Sequence, residues 1–206
     1  LGGSITFSLL WRFNLGAAQL SGLSLAVGVA LVRTLHTLGH SAIQLKWPND
    51  LIHGFRKLGG VLIELQGVAM GPSTAVIGVG LNLNLPDEVK NKIDQAVVDL
   101  HTLVPAAISR NALLGSALRH LVDMLVIFEA QGFETLRAEW ERAHAYREKP
   151  VIMRMPDGTE IHGVVRGVAQ DGALILETSS GERRFGSGEI SMRPDPANSP
   201  TKLVVD

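Results

Sequence analysis

The chain has 206 residues, 46% of them hydrophobic, which is enough to bury a sizeable core in one large domain or in one large and one small domain. Its formal net charge of -1 provides no bulk attraction to nucleic acid. Cysteine is absent, which excludes disulfides, thiolate catalysis and thiolate metal ligands, and we expect a cytoplasmic protein. The longest apolar run, residues 23–32, is shorter than the ~20 residues of a membrane-spanning helix, so no membrane partner is expected.

The chain opens with a strand pattern and then a helix pattern. Apolar and polar side chains alternate over residues 4–11, which predicts a strand with one apolar face. From Leu23 to Leu38 apolar residues recur at helical spacing around most of the circumference, so this helix should be largely buried against a sheet. Gly39 is expected to end the helix.

Three more strands are predicted between residues 43 and 83. Side chains alternate over residues 43–47, and Pro48 should end that strand because proline cannot donate a ladder hydrogen bond. Further strands are expected over residues 60–65 and 75–83. Residues 51–58 are interpreted as a loop that brings basic side chains beside the end of the first of these strands.

Helices dominate the next part of the chain. Apolar residues at helical spacing predict a long helix over residues 111–131, ended by Gly132, and a shorter helix that contains Leu136 and Trp140. Strands and helices in this order predict an α+β fold, in which helices cover a mixed sheet.

From Pro150 onward the pattern changes to short strands without helices. The strong turn dipeptides Asp157-Gly158, Asp171-Gly172 and Ser180-Gly181 separate four predicted strands, at residues 151–155, 159–165, 173–177 and 182–185. Short strands of this kind favour a small β-barrel. We therefore predict two domains, residues 1–147 and residues 148–206.

One charged segment stands out from these patterns. Residues 46–50 read Lys-Trp-Pro-Asn-Asp, and Lys57 follows seven residues after Asp50. Gly59 and Gly60 come next and have no Cβ, so a ligand or a neighbouring backbone can approach the sheet closely there. Cations, a carboxylate and an amide at a strand end could grip a small anionic substrate.

Two other patterns bear on ligand binding, a pair of glycines in a predicted strand and a pair of histidines. Gly78 and Gly80 lie in a predicted strand, but no third glycine and no helix follow, so a dinucleotide-binding turn is excluded and a nucleotide could instead lie against the strand beside Asn82. His36 and His40 have metal-ligand spacing, but Gly39 interrupts the helix between them and no third ligand has a defined position. No metal site is therefore predicted.

Taken together, residues 46–50, 57–64 and 78–84 resemble the catalytic domain of the biotin protein ligases, the biotin–acetyl-CoA-carboxylase ligases. The resemblance extends from Leu1 to Arg193, and residues 188–193 are similar to the closing strand of the family. It implies a catalytic domain related to class II aminoacyl-tRNA synthetases and lipoate ligases, followed by a small SH3-like β-barrel.

The resemblance also implies an activity and a biotin site. Family members join biotin to ATP to form biotinyl-5′-adenylate and pass biotin to a lysine of a carrier domain. By this likeness Lys57 would neutralise the biotin carboxylate and the α-phosphate, and Asp50 would serve as the base or orienting group for the acceptor lysine. Gly60 and Leu62 would lie along the biotin rings.

The remaining implied contacts concern ATP. Asn49, Gly80 and Asn82 would line the nucleotide, with Mg2+ shielding the triphosphate. A tryptophan that often packs on adenine in the family is matched here only by Val97 or Val98.

The resemblance leaves alternatives open. The family's arginine-rich loop and substrate-gripping Ser-Thr segment would precede Leu1, so we expect an N-terminally truncated chain that binds biotin weakly and forms adenylate poorly. The expected partner is the biotin carboxyl carrier protein of acetyl-CoA carboxylase, a homodimer is a further candidate, and DNA is a partner only if a helix-turn-helix exists upstream. A lipoate-protein ligase and a non-catalytic binding module are the alternatives.

Overall fold

The computed structural model describes residues 2–103, 109–187 and 190–195. The chain forms two compact units, Leu1–Ala145 and Tyr146–Asp206. The boundary predicted from the sequence, between residues 147 and 148, lies two residues further along the chain. Gly188 and Glu189, which belong to the segment that is similar to the family's closing strand, lie outside the described residues, as does Leu1.

The first unit contains a five-stranded antiparallel sheet with the order β1-β5-β4-β3-β2. Its strands are β1 (Ser4–Phe13), β2 (Gln44–Lys46), β3 (Asp50–His53), β4 (Arg56–Gly67) and β5 (Ser73–Asn82). Burial alternates along β1 and β5, as expected for strands with one face on a core. The predicted strands at residues 4–11, 43–47 and 75–83 are thus confirmed in position, with ends shifted by up to two residues.

Two long helices cover one face of this sheet. These are α1 (Leu23–Thr37) and α4 (Arg110–Gln131), which pack against each other, and α1 also packs on the short helix α5 (Glu134–Ala143). Gly28 brings α1 close to the sheet, since a Cβ at this position would lie 3.0 Å from Leu45 Cδ2. The helices predicted at these positions are confirmed, and Gly39 (φ +92) and Gly132 (φ +69) follow the ends of α1 and α4.

Helix α4 has the length and apolar composition of a membrane-spanning helix, although polar residues interrupt its apolar sequence. Its inward stripe is buried in the first unit: Leu113, Ala117, Leu121, Met124, Leu125 and Phe128. Leu114 and Leu118 lie beside this stripe and are only half-buried. A helix with one stripe packed on a core can reach the same apolar composition, so this single helix is weak evidence for a membrane span.

The loop predicted over residues 51–58 is wrong. Strand β3 ends at His53 and β4 begins at Arg56, so only Gly54 and Phe55 connect them. Both residues have positive φ, +55° and +61°, as a two-residue hairpin turn requires. A turn with phenylalanine in the left-handed region has no Asn-Gly sequence signal, which is why the hairpin was missed. Strand β4 consequently starts four residues before the predicted residue 60.

The described part of the connection between β5 and α4 contains two short helices, α2 (Asp87–Lys90) and α3 (Leu100–Leu103). The intervening residues return to the sheet, where Val97 forms an isolated parallel bridge with Lys57 of β4. This connection therefore lies against the strand that carries the lysine singled out in the sequence.

The second unit is an antiparallel sheet with the order β10-β6-β7-β8-β9. Its strands are β6 (Pro150–Arg154), β7 (Glu160–Val168), β8 (Leu174–Thr178), β9 (Gly181–Phe185) and β10 (Ser191–Pro194). Gly158, Gly172 and Gly181 have φ values of +82°, +79° and +101°, so the predicted turns are confirmed. The chain as a whole is α+β, as predicted.

Candidate active site

A row of directly paired residues crosses the whole sheet of the first unit. Thr6 pairs with Gly80, Gly80 with Gly60, Gly60 with Asp50, and Asp50 with Lys46. Directly paired residues point to the same face of a sheet. The neighbouring row, which includes the buried Leu51 and Leu81, faces the helices, so this row lies on the open face.

The charged end of the row contains two cations and one anion. Lys57 Nζ lies 2.6 Å from Asp50 Oδ1, and Lys46 Nζ lies 3.7 Å from Asp50 Oδ2. The exposed fraction is 32% for the side chain of Lys57 and 12% for that of Asp50. The three groups together carry a net charge of about +1 in a partly desolvated position, where charge interactions are stronger than in water. Such a site attracts an anion.

Three glycines of β4 and β5 lie near these charges, two on the open face of the sheet and one facing the core. A Cβ at Gly80 would meet no atom within 4 Å, so the space above this residue is open. A Cβ at Gly60 would lie 3.4 Å from Asp50 Oδ1 and from Nζ of Lys57, within contact of the charged cluster. Gly59 faces the core instead, where a Cβ would lie 2.4 Å from Gly80 O. Gly60 and Gly80 therefore form a glycine floor on the open face, which a ligand can approach closely.

The next row of pairs adds an apolar side chain and a hydroxyl. Leu62 pairs with Gly78, and Gly78 pairs with Ser8. Leu62 is 66% exposed, so its side chain stands free on the open face beside the glycine floor. Thr6 and Ser8 border the floor on the other side, and the sequence analysis missed both. In the sequence they are the polar half of an amphipathic strand, and only the register of β1 with β5 places them at the site.

The two predicted asparagines hold the main chain. Asn49 Nδ2 donates to Val61 O at 2.8 Å. Asn82 Nδ2 donates to Lys57 O at 3.3 Å and to Val98 O at 3.1 Å. Both side chains thus orient the elements that carry the site, and their direct contact with ATP stays a prediction.

The structure brings together the predicted catalytic pair, Lys57 and Asp50, beside Gly60. Gly80 pairs directly with Gly60, and Leu62 lies two residues further along β4. Of the histidine pair, His36 directs Nε2 to Ile43 O at 3.2 Å. Among the described residues no three His, Cys, Asp or Glu side chains are grouped to hold a metal ion.

Both units match models of known families. Residues 1–82 match the biotin/lipoate A/B protein ligase family, and residues 148–193 match the biotin protein ligase C-terminal domain. The chain is 34% identical over 194 residues to the bifunctional ligase/repressor BirA of Escherichia coli, which covers 93% of this chain and 59% of that protein. It is 28% identical over 199 residues to a biotin–[acetyl-CoA-carboxylase] ligase of Paracoccus denitrificans, covering 91% of this chain and 80% of that protein.

A solved structure agrees with these matches. The biotin protein ligase of Aquifex aeolicus in complex with biotin and ATP superposes with a TM-score of 0.79 at 25% identity, covering 94% of this chain and 79% of that chain. The chain spans 59% of the length of the BirA relatives that it matches. The two family models, the identities and the shared fold agree, and the chain belongs to the biotin protein ligase family.

Proposed function

We propose that the protein activates biotin with ATP and transfers it to a lysine of the biotin carboxyl carrier protein of acetyl-CoA carboxylase. The observation that carries this proposal is the cluster of Lys57, Asp50 and Lys46 beside the glycine floor, in a chain of this family. Relatives named for biotin ligation to acetyl-CoA carboxylase support the carrier.

In the first half-reaction an oxygen of the biotin carboxylate attacks the α-phosphorus of ATP. The bond between the α-phosphorus and its bridging oxygen breaks, and pyrophosphate leaves with the electron pair. Two anions must approach each other in this step, so the ammonium group of Lys57 would lower the barrier by neutralising the charge where they meet. Lys46 adds a second positive charge at 3.7 Å from the shared carboxylate.

The open face suits the two parts of the adenylate. The bicyclic ring of biotin needs close backbone and an aliphatic wall, which Gly60 and the exposed Leu62 supply. The free space above Gly80 would admit the nucleotide close to the strand. Asn49 and Asn82 would contribute by holding their neighbours in place.

In the second half-reaction the acceptor amine attacks the carbonyl carbon of the adenylate. The bond from this carbon to the phosphate oxygen breaks, and AMP leaves. A free lysine has a pKa of ~10.4, so only about one acceptor in a few thousand is neutral at pH 7. Asp50, which lies beside Lys57 and Lys46, would attract and orient the incoming amine, and the proton that the amine loses as the amide forms would pass to the departing phosphate or to water.

Magnesium, location and assembly are part of the same proposal. Mg2+ would enter on the triphosphate, since the described residues provide no cage of their own. We also propose a cytoplasmic location, with which the absence of cysteine is compatible. A homodimer is proposed as a candidate assembly, and DNA only for a protein that carries a helix-turn-helix outside residues 1–206.

The experiment is pyrophosphate release from ATP in the presence of biotin and Mg2+, with wild type, Lys57→Ala and the matched control Lys92→Ala, which removes an exposed lysine. We expect wild type and Lys92→Ala to release pyrophosphate at similar rates and Lys57→Ala to lose about 100-fold or more. Full activity of Lys57→Ala would contradict the proposed role of this lysine.

Lipoate ligation is the second candidate, because the family model for residues 1–82 includes lipoate ligases. The match of residues 148–193 to a domain named for biotin protein ligases favours biotin. Calorimetry with the two acids separates them, and tighter binding of lipoate would reverse the ranking. A non-catalytic binding module would bind biotin without any release of pyrophosphate.

A further inference from the structure

Both main-chain polar groups of Lys57, the N–H and the C=O, form hydrogen bonds with the segment 96–98. Lys57 N donates to Ala96 O at 2.8 Å, and Val98 N donates to Lys57 O at 2.9 Å. Asn82 Nδ2 connects β4 to the same segment by donating to Lys57 O and to Val98 O. The position of this segment therefore sets the position of two of the residues assigned to the site.

Asp99 follows this segment directly and anchors it. Its carboxylate accepts hydrogen bonds from Leu85 N at 3.1 Å, from Thr102 N at 2.8 Å and from Thr102 Oγ1 at 2.7 Å. The ammonium group of Lys90 lies 2.9 Å from the same carboxylate. Four donors from three parts of the chain thus converge on one side chain.

The environment of Asp99 makes this anchor strong. The side chain is 1% exposed, so its charge is costly unless it is fully paired. Burial alone would raise the pKa of the Asp99 carboxyl, but the hydrogen bonds from Thr102 and Lys90 outweigh it and lower the pKa to about 2. Asp99 is therefore ionised throughout the physiological range, and its partners cannot leave without exposing an unpaired buried charge.

A comparison with Asp87, the other carboxylate beside Lys90, shows that Asp99 is the main contact of this lysine. Asp87 Oδ1 lies 3.6 Å from Lys90 Nζ, and the Asp87 side chain is 92% exposed. A distant, solvated carboxylate contributes little. Hydrogen bonding to Asp99 is likewise the largest cause that raises the pKa of Lys90. Asp87 thus provides a matched control for Asp99 on the same lysine.

We propose that Asp99, paired with Lys90, is a positioning residue that holds the segment 96–98 against Lys57 and Asn82 and so shapes the nucleotide side of the site. The buried Asp99 carboxylate contacts Leu85, Thr102 and Lys90, so it acts on the site through the segment that bonds to Lys57 and Asn82. The consequence for nucleotide binding rests on the proposed function, whereas the anchoring of Lys57 does not.

Hydrogen exchange of the 206-residue protein tests the anchoring without any ligand. In Asp99→Asn we expect the amides of Lys57 and Val98 to exchange about tenfold faster or more, while amides in the β1–β5 pairs keep their rates. Lys90→Met should show the same pattern more weakly, Lys90→Arg should restore wild-type exchange, and Asp87→Asn should leave it unchanged. If Asp99→Asn unfolds the first unit, the comparison of Lys90→Met with Lys90→Arg decides.

Equilibrium binding of ATP then tests the functional consequence. We expect the dissociation constant for ATP to rise about tenfold in Lys90→Met and to recover in Lys90→Arg, with biotin affinity changed less. Wild-type exchange at Lys57 and Val98 in both Asp99→Asn and Lys90→Met would overturn the proposal. Faster exchange with unchanged ATP affinity would also overturn it. If wild type binds neither ATP nor biotin, the proposed function fails, while the exchange data still decide the anchoring.

Discussion

The ammonium group of Lys57 lies 2.6 Å from the carboxylate of Asp50, although the strand register pairs Lys57 with Ile52 and pairs Asp50 with Gly60. A register shift between Leu51 and Ile52 separates the two pairs. The lysine side chain reaches Asp50 by lying beside Gly60, whose missing Cβ leaves the room. A bulge and a glycine therefore create the charged cluster.

Replacement of Asp50 by asparagine should separate the two half-reactions. The variant keeps the shape of the side chain but leaves Lys57 and Lys46 without their shared anion, so the attraction for an incoming lysine is lost while the cations remain for ATP and biotin. We expect transfer to the carrier to fall about 100-fold and adenylate formation to change by less than about tenfold. Single-turnover measurements of adenylate formation and of carrier biotinylation check this. An equal loss in both steps would contradict the assignment.

The two glycines Gly80 and Gly59 should respond in opposite ways to added side chains. Gly80→Val places atoms in open space, so we expect the melting temperature to stay close to wild type and biotin and ATP affinity to fall about tenfold or more. Gly59→Ala forces a Cβ to within 2.4 Å of Gly80 O and should destabilise the fold by about 1–3 kcal/mol. Thermal unfolding and calorimetry on both variants test this contrast, which would fail if Gly80→Val bound ligands normally.

His144 should make the first unit sensitive to acid. Burial lowers the pKa of His144 to about 3, and its ring stacks on Trp140 at 4.5 Å between ring centroids. The unfolded chain, with a histidine pKa of about 6.5, binds more protons than the folded chain between pH 6.5 and 3. The contribution of His144 to the free energy of unfolding is therefore fully present above pH 6.5. It is lost as the pH falls through this window, by at most about 1.4 kcal/mol per pH unit.

Urea unfolding at pH 7 and pH 5 measures this dependence. His144→Phe keeps an aromatic ring to stack on Trp140 and removes the titrating group, so its stability should change less between the two pH values. His40, whose pKa is also lowered by burial, should contribute in the same direction and remains in the variant. An unchanged pH dependence in His144→Phe would exclude His144 as the source.

The hairpin turn between β3 and β4 should be improvable by one substitution. Phe55 adopts a φ of +61° and is 52% exposed, and a left-handed conformation costs an ordinary residue about 1–2 kcal/mol. Phe55→Gly should therefore raise the free energy of unfolding by about 0.5–1 kcal/mol, the gain being reduced by the greater freedom of glycine in the unfolded chain. Chemical denaturation measures the change, and a clear loss of stability would show that the contacts of Phe55 outweigh its backbone strain.

The sequence by itself determined the periodic elements and the main residues of the cluster. Alternation along residues 4–11 and helical spacing from Leu23 to Leu38 are local properties, because side-chain direction repeats every two residues in a strand and every 3.6 in a helix. The same is true of the turn glycines of the second unit. Lys57 and Asp50 were found because both lie in short motifs only seven residues apart along the chain.

Only the tertiary structure decided which side chains meet. Thr6 and Ser8 join the site through the pairing of β1 with β5, and Asp99 gathers donors from Leu85 and Lys90 through the fold of the connection after β5. Strand register and the burial of a single carboxylate depend on contacts between residues far apart in the chain, and no local pattern records them. The Gly54-Phe55 turn was likewise hidden, because the sheet around it stabilises a left-handed phenylalanine that its own sequence disfavours.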